Sequence, residues 1–172
     1  MIKPSHTNQN TVKRILIEGR SAEARGLDSK RLIFAKRVPL AEHLARHRQA
    51  DLFLDTFPCN AHTTTSDALW AGLPVLTRMG QSFASRVAAS LLRAANLPEL
   101  VTQSQADYER LAVHLAQHPH ELGELRKRLS MERESCALFD TERYVRNLEC
   151  AYQQMMRQSI QGFAPDGFDV AS

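Results

Sequence analysis

Two short apolar runs joined by a polar loop and one short helix leave a chain few ways to fold, and Asp51 to Val75, reading DLFLDTFPCNAHTTTSDALWAGLPV, has that layout. Leu52, Phe53 and Leu54 form a continuous apolar run, as a parallel strand covered on both faces requires. Pro74 to Thr77 supplies the next such run, and Thr64 to Ala71 reads as the helix between them, stopped at Gly72. A helix linking two strands is a crossover, so the strands lie parallel. The polar residues Asn60, His62, Thr63, Thr64 and Thr65 crowd the point where the chain enters that helix.

The rest of the chain repeats the alternation and then becomes helical. Met1 to Thr11 is polar and without pattern, and reads as a tail; VKRILIEGRSAEARG reads as a helix ending near Gly26. Leu32, Ile33 and Phe34 are expected to form a first strand, and Leu40 to Arg48 a helix begun just after Pro39. Beyond Gly80 the pattern predicts a helix over Ser85 to Ala95, a short edge strand at Leu100 and Val101, and a helix at Tyr108 to Gln117 capped by Ser104 and Asp107. Pro119 opens another helix. Asp140 is placed to cap a last, long one, whose stripe of Tyr144, Val145, Leu148, Tyr152 and Met155 reads as packing against the sheet or another lobe. The domain reading is a tail over residues 1–11, one lobe over 12–160 and a second tail over 161–172. The fold class expected is α/β, a Rossmann-like parallel sheet with helices on both faces and a helical C-terminus.

Composition narrows function by exclusion. Lys and Arg number 22 against 19 Asp and Glu, and the small excess is dispersed, which does not make a nucleic-acid groove. Cys59, Cys136 and Cys150 are an odd number at irregular spacings, which argues against a disulfide framework and for the cytoplasm. No apolar run has the length of a membrane span.

In open parallel sheets ligands bind beyond the carboxyl ends of the strands. Three polar clusters are expected there: Lys36 to His43, Thr56 to Thr65, and Arg78 to Arg86. A helix start presents unpaired N–H groups at the positive end of the helix dipole, so a phosphate is the leading ligand for the Thr63 region. Asp67, one turn further in, is spaced to reach a sugar hydroxyl. Plainer readings stand beside these: Thr63 or Thr64 as an ordinary N-cap, Asp67 as a first-turn acid, His47 on a solvated helix face, Trp70 as a core anchor, and His114, His118 and His120 as surface residues around a helix end.

CNAHTTTSDALWAGLPVLT, followed by GQSFASRVAASLL and preceded by RLIFAKRVPLAEHLARHRQADLFLDT, resembles the catalytic region of the O-linked N-acetylglucosamine transferase and SPINDLY-like family. These proteins move a sugar from a nucleotide donor to Ser or Thr of proteins. Four linked segments in the family's order carry the likeness, which continues more weakly to about Tyr152. The resemblance implies the C-terminal lobe of a GT-B glycosyltransferase, incomplete at its N-terminal side, with a nucleotide sugar such as UDP-N-acetylglucosamine as donor. Transposed onto this chain, it implies that Val38 and Pro39 line the base and that His43 and Arg46 face the donor. His62, Thr63 and Thr64 cradle the diphosphate, and Asp67 bonds the ribose. Leu40 stands where the family commonly has Lys, so base recognition departs from the family pattern there.

The mechanism implied is inverting displacement, with His62 and Arg46 stabilising the departing diphosphate and the general base supplied from elsewhere. No Asp-x-Asp motif occurs, and no metal or other cofactor is expected. The partners implied are the nucleotide-sugar donor, protein acceptors, an N-terminal catalytic lobe and helical repeats; nucleic acid and membrane are not among them. Nothing in Met1 to Ser29 resembles those repeats, so the chain reads as a fragment that is inactive alone. The competing reading is a non-catalytic nucleotide-binding or docking remnant acting as an interaction module.

Overall fold

The computed structural model describes residues 20–170. The tail read over residues 1–11, and most of the helix expected before Gly26, lie outside them. Residues up to Pro39 and from Leu40 onward form two units, each described by itself.

In the first unit residues 20–23 are helical, and the chain leaves that helix through Gly26 at φ 75°. The Leu27 amide donates to Ala22 and the Gly26 amide to Glu23, which closes the helix end in a left-handed turn. A single 3-10 turn follows over Ser29–Arg31, capped by Asp28, whose carboxylate accepts from the Lys30 amide at 2.9 Å. The expected strand at Leu32 to Phe34 does not form. The Leu32 amide is consumed by the 3-10 turn, and Ile33 is 91% exposed, so the run has neither ladder nor cover.

The second unit holds the sheet. In chain order its elements are α1 (Leu40–His47), β1 (Phe53–Leu54), α2 (Thr63–Trp70), β2 (Val75–Arg78), α3 (Val87–Ala94), β3 (Val101–Thr102), α4 (Gln105–Gln117), α5 (Pro119–Glu132) and α6 (Thr141–Ile160). The strands lie in the order β1-β2-β3 and both pairs are parallel, with Phe53 beside Val75 and Thr77 beside Val101. The fold is therefore the α/β parallel sheet expected from the crossover pattern. The edge strand anticipated at Leu100 and Val101 is β3, displaced by one residue.

The core is aliphatic because every connection in this unit is a helix with one apolar side. Ala68 and Leu69 of α2, Val75 of β2, Leu92 of α3, Leu115 of α4 and Leu129 of α5 are all buried, and Leu73, Leu97 and Leu100 seal the turns between them. Two of those turns need a left-handed residue: Gly72 at φ 83° ends α2 and Asn96 at φ 59° ends α3. In each case the following leucine amide, of Leu73 or Leu97, reaches back to the last turn of the helix and turns its side chain inward. The caps read from the sequence for the later helices are present. Ser104 Oγ accepts from the Asp107 amide at 3.1 Å, and Asp140 Oδ1 accepts from the Arg143 amide at 2.8 Å.

Of the two coverings expected for the α6 stripe, the sheet is excluded: Tyr144, Tyr152 and Met155 are 63%, 60% and 52% exposed. Trp70 is not a core anchor either. It sits at the surface with the Arg133 guanidinium 4.8 Å above its ring and Phe139 edge-on at 5.1 Å, because the last turn of α2 rotates it out of the core that Leu69 enters.

Leu69 is fully buried at the centre of this core. Its replacement by Ala should lower stability by about 2–5 kcal/mol, read as a fall in the urea midpoint with little change in slope.

Candidate functional site

The loop between β1 and α2 is shaped by one buried carboxylate. Asp55, at the end of β1, is 6% exposed. Its Oδ1 accepts from the amides of Thr56 at 2.8 Å and Ala61 at 2.7 Å, and its Oδ2 accepts from the Thr77 hydroxyl of β2 at 2.6 Å. The Asp55 carbonyl accepts from the Tyr108 hydroxyl of α4 at 2.9 Å. Strand, loop and helix are thus tied at one point. Burial, reinforced by the Asp55 charge, pushes the Tyr108 phenol from its ordinary value of 10 up to about 12.

From Asp55 the chain passes through a cis peptide between Phe57 and Pro58 and returns at Asn60. The Asn60 amide donates to Ala84 at 2.8 Å, and its side-chain nitrogen donates to the Thr56 carbonyl at 2.9 Å and the Arg78 carbonyl at 3.4 Å. The clusters expected after the second and third sheet segments therefore do converge. Arg78 lies over the Phe57 ring at 4.0 Å. Gly80 permits the approach of the loop after β2: a Cβ there would fall 2.4 Å from Ser85 Oγ and 2.8 Å from Ser85 Cβ.

This arrangement decides which amides at the start of α2 remain open. Ala61 gives its amide to Asp55, and the amides of Thr65 and Ser66 both go to the His62 carbonyl at 3.1 and 3.2 Å. Those of Thr63 and Thr64, the first two helical residues, donate to no acceptor among the described residues. Both threonines are exposed. His62 is the N-cap, with no side-chain capping bond, so neither Thr63 nor Thr64 is the ordinary cap of the plainer reading. Its half-buried imidazole rests edge-on against Phe83 at 5.9 Å, with Nε2 3.4 Å from the Ala84 carbonyl. Thr65, by contrast, is fully buried and donates its hydroxyl back to the Ala61 carbonyl at 2.9 Å. It supports the turn and faces no ligand.

Helix α1 packs beside α2 and brings a second set of residues to the same end. His43 Nε2 lies 3.7 Å from Asp67 Oδ2. Asp67 is the fifth residue of α2 and outside its first turn, so its partner is an imidazole rather than the helix dipole. Arg46 is half-buried one turn beyond His43 on α1. His47, expected on a solvated face, is buried instead. Its Nδ1 bonds the His43 carbonyl at 2.9 Å and its ring stacks on Phe53 at 6.4 Å, holding α1 against β1. Val38 and Pro39 belong to the first unit, half-buried and exposed respectively, in a stretch without regular structure.

Asp55, Thr77, Tyr108 and Gly80 escaped the sequence reading because each acts through residues distant in the chain. The one local signal was Asp55 itself, a lone acid directly after an apolar strand.

A parallel three-stranded sheet with helical crossovers and a polar loop at its carboxyl edge defines a Rossmann-like α/β lobe. The pattern of glycosyl transferase family 41 matches residues 13–148, and the chain belongs to that family. It is 41% identical over 150 residues to a probable UDP-N-acetylglucosamine–peptide N-acetylglucosaminyltransferase, SEC, of Arabidopsis thaliana, which covers 87% of this chain and 15% of that protein. It is 39% identical over 142 residues to the UDP-N-acetylglucosamine–peptide N-acetylglucosaminyltransferase of Caenorhabditis elegans, covering 83% of this chain and 12% of the relative. A mutant O-GlcNAc transferase from Thermobaculum terrenum superimposes with a TM-score of 0.82 at 35% identity, over 90% of this chain and 29% of that one. The chain thus corresponds to a minor part of each.

Replacing Asp55 with Ala strands the Thr77 hydroxyl and the Ala61 amide and should destabilise by on the order of 3 kcal/mol, with Asn milder because it retains one oxygen; urea unfolding of the two variants checks this. Gly80→Ala should cost about 1–3 kcal/mol through its clash with Ser85, and Ser85→Gly in the same chain should recover part of the loss. Tyr108 has its folded pKa raised, so the stability it contributes is complete below pH 10 and is lost as pH rises toward about 12. In a Tyr108→Phe variant, the fall in urea midpoint over that window should be shallower than in the parent.

Proposed function

We propose that this chain forms the donor-binding part of a protein O-glycosyltransferase, which takes N-acetylglucosamine or a related sugar from a nucleoside diphosphate to Ser or Thr. The observation that carries the reading is the pair of unpartnered amides of Thr63 and Thr64 at the start of α2, exposed beside the His62 imidazole. A diphosphate placed there accepts two backbone hydrogen bonds and meets the positive end of the helix dipole. The names of the relatives, which specify UDP-N-acetylglucosamine and a peptide acceptor, support a uridine diphosphate sugar as the donor.

In this reading the lobe acts on the leaving group. As the bond from the sugar to the diphosphate breaks, negative charge grows on the phosphate oxygen. Donors already fixed at that position stabilise the transition state more than the ground state, since Asp55 has set the loop beforehand. His62 and Arg46 add side-chain donors; Arg46 suits a diphosphate because its forked guanidinium stays charged. Asp67 reaches the ribose hydroxyls, with His43 fixing its carboxylate from α1. Protein groups take the place of a cation at the diphosphate. The general base and the acceptor-binding elements belong to an N-terminal catalytic lobe and helical repeats that work together with this lobe. We place it in the cytoplasm, consistent with three free cysteines; no helix among the described residues is long and apolar enough to cross a membrane.

Isothermal calorimetry with UDP, GDP and UDP-N-acetylglucosamine tests the reading. UDP is expected to bind, and His62→Ala to weaken it by about tenfold or more, since a hydrogen bond to a charged group is worth roughly 1.5–3 kcal/mol. Asp67→Asn should weaken UDP while leaving inorganic pyrophosphate unchanged, because only UDP has a ribose. If none of the three ligands binds at millimolar concentration, the docking alternative, which draws on the exposed α6 stripe, gains instead.

A further inference from the structure

We infer that His114, His118 and Glu121 form a binding site for a divalent transition-metal ion of the Zn2+ class at the junction of α4 and α5, outside the donor site. The sequence HLAQHPHE spans this junction: His114 lies in the last turn of α4, His118 caps that helix, and Glu121 lies in the first turn of α5. Pro119 follows His118 directly and opens the second helix, which folds Glu121 back toward the end of the first. One ligand atom from each of the three residues lies within 4.8 Å of the others.

The hydrogen bonds around the cluster prepare it for ligation. His118 Nδ1 lies 2.7 Å from the His114 carbonyl, which can only accept, so the proton resides on Nδ1 and Nε2 keeps its lone pair. A second ring nitrogen tied to a carbonyl is the arrangement that orients metal-binding histidines. The two imidazoles stack at 4.0 Å and 25°, which sets their edges side by side. His114 Nε2 lies 2.9 Å from Glu121 Oε2. A metal ion entering between His114 and Glu121 replaces the proton they share.

The donor set selects the metal. Two imidazole nitrogens and one carboxylate oxygen suit Zn2+, whereas Mg2+ and Ca2+ favour oxygen shells. Bonds of about 2.0–2.1 Å put neighbouring ligand atoms about 3.3 Å apart in a tetrahedron. The side chains of His114 and Glu121 are 41% and 53% exposed and have room to make that adjustment. Water completes the shell. The ion joins the end of α4 to the start of α5, so its binding stabilises the helical hairpin.

The test uses the full chain stripped with a chelator, with ZnCl2 as the probe in calorimetry and thermal unfolding. One Zn2+ per chain should bind at micromolar concentration and raise the unfolding midpoint by several degrees, while MgCl2 does neither. His118→Ala and Glu121→Gln should each weaken Zn2+ by tenfold or more and leave UDP affinity unchanged. The absence of Zn2+ binding overturns the site. So does equal affinity in a His118→Ala, Glu121→Gln double variant, which would put the ion on other groups.

Discussion

The carboxylate of Asp55 is the constraint on which the rest of the structure turns. It is charged, buried, and surrounded by three donors, one of them a hydroxyl from the neighbouring strand. A buried anion is tolerated only when its lone pairs are met, and here meeting them fixes the entry and the return of the β1 to α2 loop together. The Tyr108 hydroxyl on the adjacent carbonyl extends the same tie to α4. Helix, loop and two strands therefore hold one relative geometry through these hydrogen bonds.

That constraint has a consequence for chemistry. Because Asp55 takes the Ala61 amide and the His62 carbonyl takes those of Thr65 and Ser66, the amides left open at the helix start are those of the N-cap His62 and of Thr63 and Thr64. An anion site requires donors that are both exposed and rigid. Exposure comes from the absence of a side-chain cap at His62, and rigidity from the buried Asp55 and Thr65 on either side. Helix α1 adds His43 to the arrangement through Asp67, so the polar end of α2 is bounded by residues from two helices.

Much of this lobe was legible before its structure. The crossover from β1 through α2 to β2 follows from two apolar runs about twenty residues apart, and the helix caps at Ser104 and Asp140 follow from side-chain chemistry that needs only neighbouring residues. The misreadings share one cause. Leu32 to Phe34 has the composition of a strand, but a strand exists only with a partner ladder, and apolarity cannot report one. Trp70 and His47 were assigned by residue type, inside for the indole and outside for the imidazole. The rotation of α2 and the stacking of His47 on Phe53 reversed both.

The sequence by itself determined the local alternation of strand, loop and helix, the family, and which residues crowd the start of α2, because those depend on spacing along the chain and on motif order. Only the tertiary structure decided which amides there stay open, that Asp55 governs the loop, and that Glu121 closes on two histidines across a helix junction. The physical reason is that hydrogen-bond donors are shared out among all acceptors within reach, and reach in space is set by packing between elements, not by separation in sequence.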